Sequence, residues 1–139
     1  MGRSHRTPII VRWGETDPMG IVFYPTYFAW FDHATHQMFA SSGRTLLDRL
    51  REDGISVPIA ECGARFRAPV FADDELVVES SAMEIEPTSF RMEHRIQRDG
   101  RTVATGSERR VVARMGDAGR LEVTPMPDDL SGWLAGDGA

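Results

Sequence analysis

Apolar residues recur at helical spacing in one long segment of the first half of the chain. Between Pro25 and about Ser42 they repeat every three or four residues, at Tyr27, Trp30 or Phe31, Ala34 and Met38. This period predicts an α-helix. Pro25 suits the first helical position, where its missing N–H costs nothing, and Gly43 suits a helix stop. A second, shorter helix is predicted over 45–53, ended by Gly54.

The rest of the chain shows the period of two that is typical of β-strands. Phe90, Met92, His94 and Ile96 alternate with charged or amide side chains, which predicts a half-exposed antiparallel strand. Asp99–Gly100 predicts a two-residue hairpin turn, so 102–114 would form the partner strand. Further strand patterns cover 7–13, 64–70, 76–85 and 121–124, with turns at 73–74 and 116–119.

One long helix followed by antiparallel strands predicts an α+β fold. The helix is apolar over much of its circumference, so it needs cover on several sides, and a curved sheet wrapped round it would supply that cover. The 139 residues fit a single domain, 1–139, without internal repeats. From about 126 to 139 the chain is rich in Pro, Asp and Gly, which predicts a poorly ordered tail.

Composition excludes several classes of function. The formal charge of −5 argues against nucleic acid as the main partner, and no apolar run approaches a membrane span. Residues 1–6 are polar and no apolar signal region follows, so a cytoplasmic location is expected. The chain has no Lys, which removes Schiff-base chemistry. Its single cysteine, Cys62, lies in an apolar stretch and is expected to be a buried structural thiol.

Two acids lie in the loop that leads into the long helix. Glu15 and Asp17 stand beside Pro18 and Gly20, residues that are typical of turns. The N-terminus of a helix presents free backbone N–H groups and a dipole that favours negative charge. A carboxylate beside such donors could attack or hydrate a carbonyl while the donors hold its developing oxyanion. Ordinary turn chemistry accounts for the same residues equally well.

The segment DPMGIVFYPTYFAWFDHA resembles the signature of hotdog-fold acyl-CoA thioesterases, and more narrowly that of the 4-hydroxybenzoyl-CoA thioesterase family. The segment GISVPIAECGARFRAPVFADDELVVES is similar to the next part of that family, so the resemblance covers about residues 8–115. It implies a hotdog fold, in which a curved antiparallel sheet wraps a long central helix. It also implies hydrolysis of an acyl-CoA without a metal or cofactor, and assembly into homodimers, often stacked into homotetramers.

The resemblance also suggests roles for residues near the loop. Asp17 falls on the family's catalytic carboxylate, acting either as nucleophile or as general base. The backbone amide near Tyr24 falls on the oxyanion donor. Gly20 is expected to provide close backbone approach or a positive φ, and Glu15 to be a solvated loop acid. Val22, Phe23 and Tyr27 are further candidates for substrate binding.

The middle of the long helix carries one more candidate. Asp32 could lie on a solvated helix face, paired with His36 four residues later, or it could be an acceptor in the acyl pocket. The resemblance implies the second role, as a reader of a ring hydroxyl. His33 and His36 have no third ligand at a motif spacing, so a metal site is not expected. His94 alternates onto the apolar face of its strand, which predicts a satisfied core or interface histidine.

The coenzyme A phosphates have few obvious ligands. Family members resembling this chain carry basic residues before their third strand, but residues 84–89 here hold two acids, a proline and no base. Ser89 and Arg91 are the candidates that remain nearby, with Arg109 or Arg110 on the paired strand. Solvated strand arginines are an equally good interpretation.

These features together favour an acyl-CoA thioesterase that acts on an aromatic acyl group, benzoyl-like or hydroxybenzoyl-like. A short-chain fatty acyl-CoA thioesterase is one alternative, and hydration or dehydration of acyl thioesters is another. The alternative of a different class is a non-catalytic acyl-CoA binding or regulatory module with the same fold.

Overall fold

The structure of the protein, a computed structural model that describes residues 2–137, contains three helices and two antiparallel sheets. The helices are α1 (Pro25–Ala40), α2 (Leu46–Asp53) and α3 (Asp128–Leu134). The strands are β1 (Ser4–Ile10), β2 (Ile55–Ser56), β3 (Ile59–Phe66), β4 (Glu75–Met83), β5 (Ser89–Arg98), β6 (Arg101–Val111), β7 (Ala113–Met115) and β8 (Leu121–Val123). Within the described chain, no helix is long and apolar enough to cross a membrane.

The larger sheet places the strands in the order β1–β4–β5–β6–β3, with every neighbouring pair antiparallel. The smaller sheet has the order β2–β7–β8. Helix α1 packs against β1, β4 and β6 of the larger sheet. One long helix covered by a curved antiparallel sheet confirms the predicted α+β class.

The local signals for turns and helix ends are confirmed. Asp99 and Gly100 have φ angles of 52° and 76°, and they join β5 to β6 as the predicted two-residue turn. Helix α2 begins with a reciprocal cap, in which the Asp48 amide donates to the Thr45 hydroxyl and the Thr45 amide donates to the Asp48 carboxylate. It ends at Gly54, whose φ of 71° is left-handed.

Three predicted strands differ in their bounds from the structure. The strand predicted over 64–70 is β3, which begins earlier and ends at Phe66. The first strand spans 4–10 rather than 7–13, because Arg12 and Glu15 hydrogen-bond each other around a 3-10 turn that begins at Trp13. The long strand predicted over 102–114 is two strands, β6 and β7. Val112 leaves the larger sheet between them and pairs with the Thr88 carbonyl.

The C-terminal segment is helical rather than frayed. Leu130 and Leu134 of α3 are fully buried against the C-terminal half of α1. The Arg3 side chain, at the other end of the chain, donates to the Trp133 carbonyl at 2.8 Å and lies over the Trp133 ring. The prediction of a poorly ordered tail is therefore wrong for 128–134, because apolar residues at a spacing of three to four form a buried face. Residues 138–139 lie outside the described part.

The interior consists of two apolar clusters on either side of a buried polar layer. The first cluster includes Phe31 and Ala34 from the N-terminal half of α1, and the second includes Met38 and Phe39 from its C-terminal half. Between the two clusters lie five buried polar side chains, which we call the polar layer: Thr35, Ser80, His94, Glu108 and Arg110. Buried polar groups require partners, so the layer ties helix and sheet together at one register.

Candidate active site

The loop that carries Asp17 is a tight hairpin. The Asp17 amide donates to the Ile21 carbonyl at 2.8 Å, and the Phe23 amide donates to the Glu15 carbonyl at 2.9 Å. These bonds tie the acid-bearing turn to the residues that enter α1. The hairpin thus fixes the position of Asp17 relative to the start of the helix.

Gly20 closes the turn of this hairpin. Its amide donates to the Asp17 carbonyl at 2.8 Å, and its φ is 84°. A Cβ at this position would meet no atom within 4 Å. The positive φ therefore accounts for the glycine.

The Asp17 carboxylate is partly exposed, and within the described chain only one of its two oxygens accepts a hydrogen bond. Its Oδ1 atom accepts a hydrogen bond from the Met19 amide at 2.8 Å. Within residues 2–137, the Oδ2 atom has no hydrogen-bond partner. The carboxylate is therefore held by one oxygen while the other can act as a nucleophile or take a proton.

One backbone amide at the start of α1 has no acceptor within residues 2–137. Pro25 has no N–H, and the next two amides donate to nearby carbonyls, Thr26 to Phe23 and Tyr27 to Tyr24. The Tyr24 amide has no acceptor among the residues that the structure describes. A free N–H at the positive end of a 16-residue helix can stabilise an oxyanion.

Glu15 is a structural residue rather than a solvated loop acid. Its carboxylate accepts hydrogen bonds from the Trp30 indole at 3.1 Å and from the Arg12 amide at 2.8 Å. Only 13% of the side chain is exposed. The prediction of a solvated acid is therefore wrong, because Trp30 on α1 needs an acceptor for its buried N–H.

The apolar residues around the hairpin fall into two groups. Val22 and Tyr27 are buried behind the loop, where the Tyr27 ring lies 4.8 Å from that of Phe66. Phe23 and Tyr24 expose about half of their surface and stack edge to face at 5.3 Å. Their roles in substrate binding stay predictions.

Asp32 lies two turns into α1 and is about half exposed. Its Oδ1 atom accepts from the Arg110 guanidinium at 2.6 Å, and the His36 ring is 3.5 Å away. Asp32 also lines a pocket of about 380 Å³, which we call the α1–α2 pocket. The other lining side chains are mostly apolar and include Leu46, Leu47, Leu50 and Val57.

The partner of Asp32 belongs to the polar layer, which the sequence did not predict as a unit. Glu108 accepts hydrogen bonds from Thr35 at 2.6 Å, from His94 at 2.9 Å and from Arg110 at 2.9 Å. Burial raises the pKa of Glu108, but these donors and the charge of Arg110 outweigh it and lower the pKa to about 2. The signal in the sequence is the alternation that puts Glu108 and Arg110 on the same face of β6 as Ala104 and Gly106.

The histidine of this layer confirms its prediction. His94 is 3% exposed, with its Nδ1 atom 2.8 Å from the Ser80 hydroxyl and its ring 5.1 Å from that of Phe31. Because ionised Glu108 only accepts, the Nε2 atom must carry a proton. Gly106 makes room for the stack, since a Cβ there would overlap Phe31.

The candidates for phosphate binding lie in different environments. Arg91 is on the outer sheet face, where it pairs with Glu84 at 3.0 Å and stands directly opposite Arg109. Ser89 is buried. All three guanidinium nitrogens of Arg110 are engaged inside the protein, so its prediction as a phosphate ligand is wrong.

The single cysteine and the two helix histidines lie on the surface of the described chain, and they are not grouped as metal ligands. Cys62 is exposed, because it lies on the edge strand β3, and the prediction of a buried thiol is wrong. His33 and His36 are both exposed on α1. In residues 2–137, no three His, Cys, Asp or Glu side chains are grouped as metal ligands.

Comparison with known families identifies the chain. A family model described as the thioesterase-like superfamily matches residues 11–134. The chain belongs to the thioesterase-like superfamily. Its enzymes hydrolyse thioesters, and the chain is a thioester hydrolase.

Individual thioesterases agree with the family match. The chain is 32% identical to the 4-hydroxybenzoyl-CoA thioesterase of Pseudomonas sp. (strain CBS-3), over 93% of this chain and 96% of that one. A crystal structure of a 4-hydroxybenzoyl-CoA thioesterase mutant with 4-hydroxybenzoyl-CoA bound has a TM-score of 0.87 and 31% identity, covering 95% of this chain and 99% of that one. The structure of a gentisyl-coenzyme A thioesterase has a TM-score of 0.79 and 34% identity, covering 92% and 98%. These matches confirm the predicted hotdog fold of this thioesterase.

Proposed function

We propose that this thioesterase hydrolyses an aromatic acyl-CoA to the free acid and coenzyme A, with Asp17 as nucleophile or general base. One observation carries the proposal: the uncommitted Oδ2 of Asp17 and the free amide of Tyr24 belong to one hydrogen-bonded hairpin and helix start. That pairing supplies both an attacking group and an oxyanion donor. The reaction needs no cofactor, since coenzyme A is part of the substrate.

Two routes through Asp17 fit this geometry. In the first, the carboxylate attacks the thioester carbonyl and the C–S bond breaks. Coenzyme A leaves as a thiolate, and water then opens the mixed anhydride to give the acid and the free carboxylate. In the second, Asp17 takes a proton from a water molecule whose oxygen attacks the same carbonyl, and the C–S bond then breaks to release the acid and the coenzyme A thiolate. Both routes place negative charge on the carbonyl oxygen, where the Tyr24 amide would hold it.

The choice of an aromatic acyl group is supported by the relatives and by the lining of the α1–α2 pocket. The similar thioesterases act on 4-hydroxybenzoyl-CoA and gentisyl-CoA, as their names state. The α1–α2 pocket combines an apolar lining with the Asp32 carboxylate. Such a pocket suits a ring that bears a hydroxyl group.

Release of free thiol tests the proposed activity directly. The assay would follow coenzyme A release with a thiol reagent from benzoyl-CoA, 4-hydroxybenzoyl-CoA and butyryl-CoA. An enzyme-only blank is required because Cys62 is exposed and will itself react. We expect turnover that is fastest with the aromatic esters. Binding without turnover would identify a non-catalytic module, and a preference for butyryl-CoA would identify a fatty acyl thioesterase.

Asp32→Ala should selectively slow the hydroxylated substrate. If Asp32 accepts a hydrogen bond from a ring hydroxyl, its removal leaves that hydroxyl unpaired, which commonly costs about 1–3 kcal/mol. The measurement is kcat/KM for 4-hydroxybenzoyl-CoA, with benzoyl-CoA as the internal control. Equal losses for both esters would show that Asp32 only supports α1.

The nucleotide end of coenzyme A should contribute little to catalysis. Arg110 is enclosed and Ser89 is buried, which leaves Arg91 and Arg109 on the outer sheet face. We therefore expect a short pantetheine thioester to be hydrolysed nearly as well as the coenzyme A ester of the same acid. The measurement is the ratio of the two kcat/KM values. A penalty of roughly 100-fold, or about 2.7 kcal/mol, would show that contacts to the nucleotide matter and would point first to Arg91 and Arg109.

A second copy of the chain is proposed to complete the site. Strand β3 is an edge strand that is exposed or half-exposed along its whole length, and edges of this kind pair readily. Near the hairpin, Trp13, Met19 and Phe71 are also exposed. We expect light scattering to give a dimer or tetramer at assay concentration. A fully active monomer would contradict this proposal.

A further inference from the structure

The polar layer has features that packing alone does not require. Glu108 and Arg110 are 1% and 3% exposed, and they lie between two apolar clusters that would form a continuous core without them. Burying charged groups is costly unless each is paired and hydrogen-bonded. Apolar side chains of similar size at these positions would avoid that cost.

Its hydrogen bonds link the centre of the sheet to α1, and the donors converge on the Glu108 carboxylate, which also accepts from Thr35 on α1. Ser80 bonds His94 at 2.8 Å, His94 donates to Glu108 at 2.9 Å, and Arg110 donates to Glu108 at 2.9 Å. Phe31 covers the His94 ring on one side and shields the layer from water. The chain of bonds is therefore closed to solvent until it reaches Arg110.

Arg110 also donates two hydrogen bonds to residues outside the polar layer. It donates to the Asp32 carboxylate at 2.6 Å and to the Val57 carbonyl at 2.9 Å. Asp32 and Val57 come from different elements, α1 and the segment between β2 and β3, and both line the α1–α2 pocket. One guanidinium thus holds two walls of the pocket against the sheet.

The charges explain why Glu108 matters for this geometry. The Arg110 guanidinium lies between two carboxylates, Glu108 in the interior and Asp32 at the pocket. The Nε and Nη2 atoms of Arg110 both donate to Glu108, so the guanidinium forms a hydrogen bond with only one oxygen of Asp32. The other Asp32 oxygen has no partner in the described part of the chain. Without a charge at Glu108, Arg110 would be free to close on both Asp32 oxygens.

We infer that Glu108 is a positioning residue for substrate specificity, which acts through Arg110 to keep one oxygen of Asp32 available in the α1–α2 pocket. The inference rests on the proposed function, because it assumes that the pocket receives the acyl group. It assigns the ring-hydroxyl preference to a buried pair on β6 as well as to the half-exposed acid on α1. His94 and Thr35 serve the same end by holding Glu108.

The test is the preference ratio, defined as kcat/KM for 4-hydroxybenzoyl-CoA divided by kcat/KM for benzoyl-CoA. We expect Glu108→Gln, which removes the charge at nearly constant shape, to lower the ratio by about five-fold or more. In an Asp32→Ala background the same change should alter the ratio by less than about two-fold, because its target is gone. Glu93→Gln, the same substitution on the exposed face of β5, should leave the ratio unchanged.

Two further variants cover the case in which Glu108→Gln does not fold. Arg110→Lys keeps the charge but replaces three separate guanidinium nitrogens with one ammonium nitrogen on a shorter head group, which does not reproduce the contacts to Glu108, Asp32 and the Val57 carbonyl, so it should also lower the ratio. Thr35→Val is nearly isosteric and removes one bond to Glu108, so it should lower the ratio by a smaller factor.

The outcomes separate this inference from the proposed function. Failure of the wild type to hydrolyse either aryl ester overturns the proposed function itself. A wild type that hydrolyses both equally well overturns the inference only. Equal losses for the two substrates in Glu108→Gln and Arg110→Lys, or losses that add fully to those of Asp32→Ala, show that the layer has a structural role and likewise overturn it.

Discussion

Asp17→Asn is expected to lower kcat by about two to four decades while the protein keeps its fold, the usual range for a positioned acid–base group. The asparagine side chain can still accept from the Met19 amide, so the turn that closes at Gly20 is preserved. What the variant loses is the negative charge of the uncommitted oxygen. Loss of a true nucleophile could cost more than this range.

The measurement is single-substrate kinetics with the best aryl ester, together with a circular dichroism melt to establish folding. Asp99→Asn is the matched control, because it makes the same change at an exposed hairpin turn where asparagine also tolerates the positive φ. Activity of Asp17→Asn within a few-fold of wild type would remove Asp17 from the mechanism.

Glu108→Ala is expected to cost about 3–5 kcal/mol in the free energy of unfolding, which is the usual effect of removing one partner of a buried ion pair. Arg110 would then remain buried with Asp32 as its one remaining carboxylate partner in the described chain. His94 and Thr35 would lose their common acceptor as well. Denaturant unfolding measures the change, and a loss below about 1 kcal/mol would show that the layer relaxes easily.

The same residue predicts how stability depends on pH. The pKa of Glu108 is lowered from 4.5 to about 2 in the folded protein, so the unfolded chain binds its proton first as the pH falls. The stabilisation is therefore complete above about pH 4.5 and is lost as the pH falls towards 2. Its size is on the order of 3 kcal/mol.

Unfolding curves between pH 2 and 6 would test this dependence. The free energy of unfolding of Glu108→Ala should fall less steeply than that of wild type as the pH decreases, because the titrating group is absent. Glu93→Ala on the exposed face of β5 is the control, and its free energy of unfolding should stay within about 0.5 kcal/mol of wild type at neutral pH. If the free energy of unfolding of Glu108→Ala falls as steeply as that of wild type, the pH dependence comes from other carboxylates.

Features that depend on a few neighbouring residues were predictable from the sequence. Pro25 and the apolar period that follows it define α1, since a helix forms from bonds four residues apart. Asp99–Gly100 defines the hairpin between β5 and β6, since only residues that accept positive φ fit that turn. The turn of Asp17 and Gly20 was likewise evident from its residue types. The resemblance to thioesterases extended these local patterns to the hotdog fold.

Features that depend on partners distant in the chain were not predictable. Asp32 pairs with Arg110, 78 residues away, and Glu15 accepts from Trp30 on the other side of the hairpin. Cys62 has an apolar neighbourhood in sequence but lies exposed because β3 is at the edge of the sheet. Strand alternation indicates which face a side chain occupies, but it gives neither the strand order nor the partner.

The sequence by itself thus determined the long helix, the acid-bearing turn before it and the antiparallel hairpins, all of which follow from local backbone preferences. Only the tertiary structure decided which acid is committed and which is free. Glu15 accepts from Trp30, and Glu108 accepts from Arg110, whereas within residues 2–137 one oxygen of Asp17 and the Tyr24 amide have no partner. The physical reason is that a charge in the interior is tolerated only where folding brings it a partner, and the partner comes from a different element of the chain.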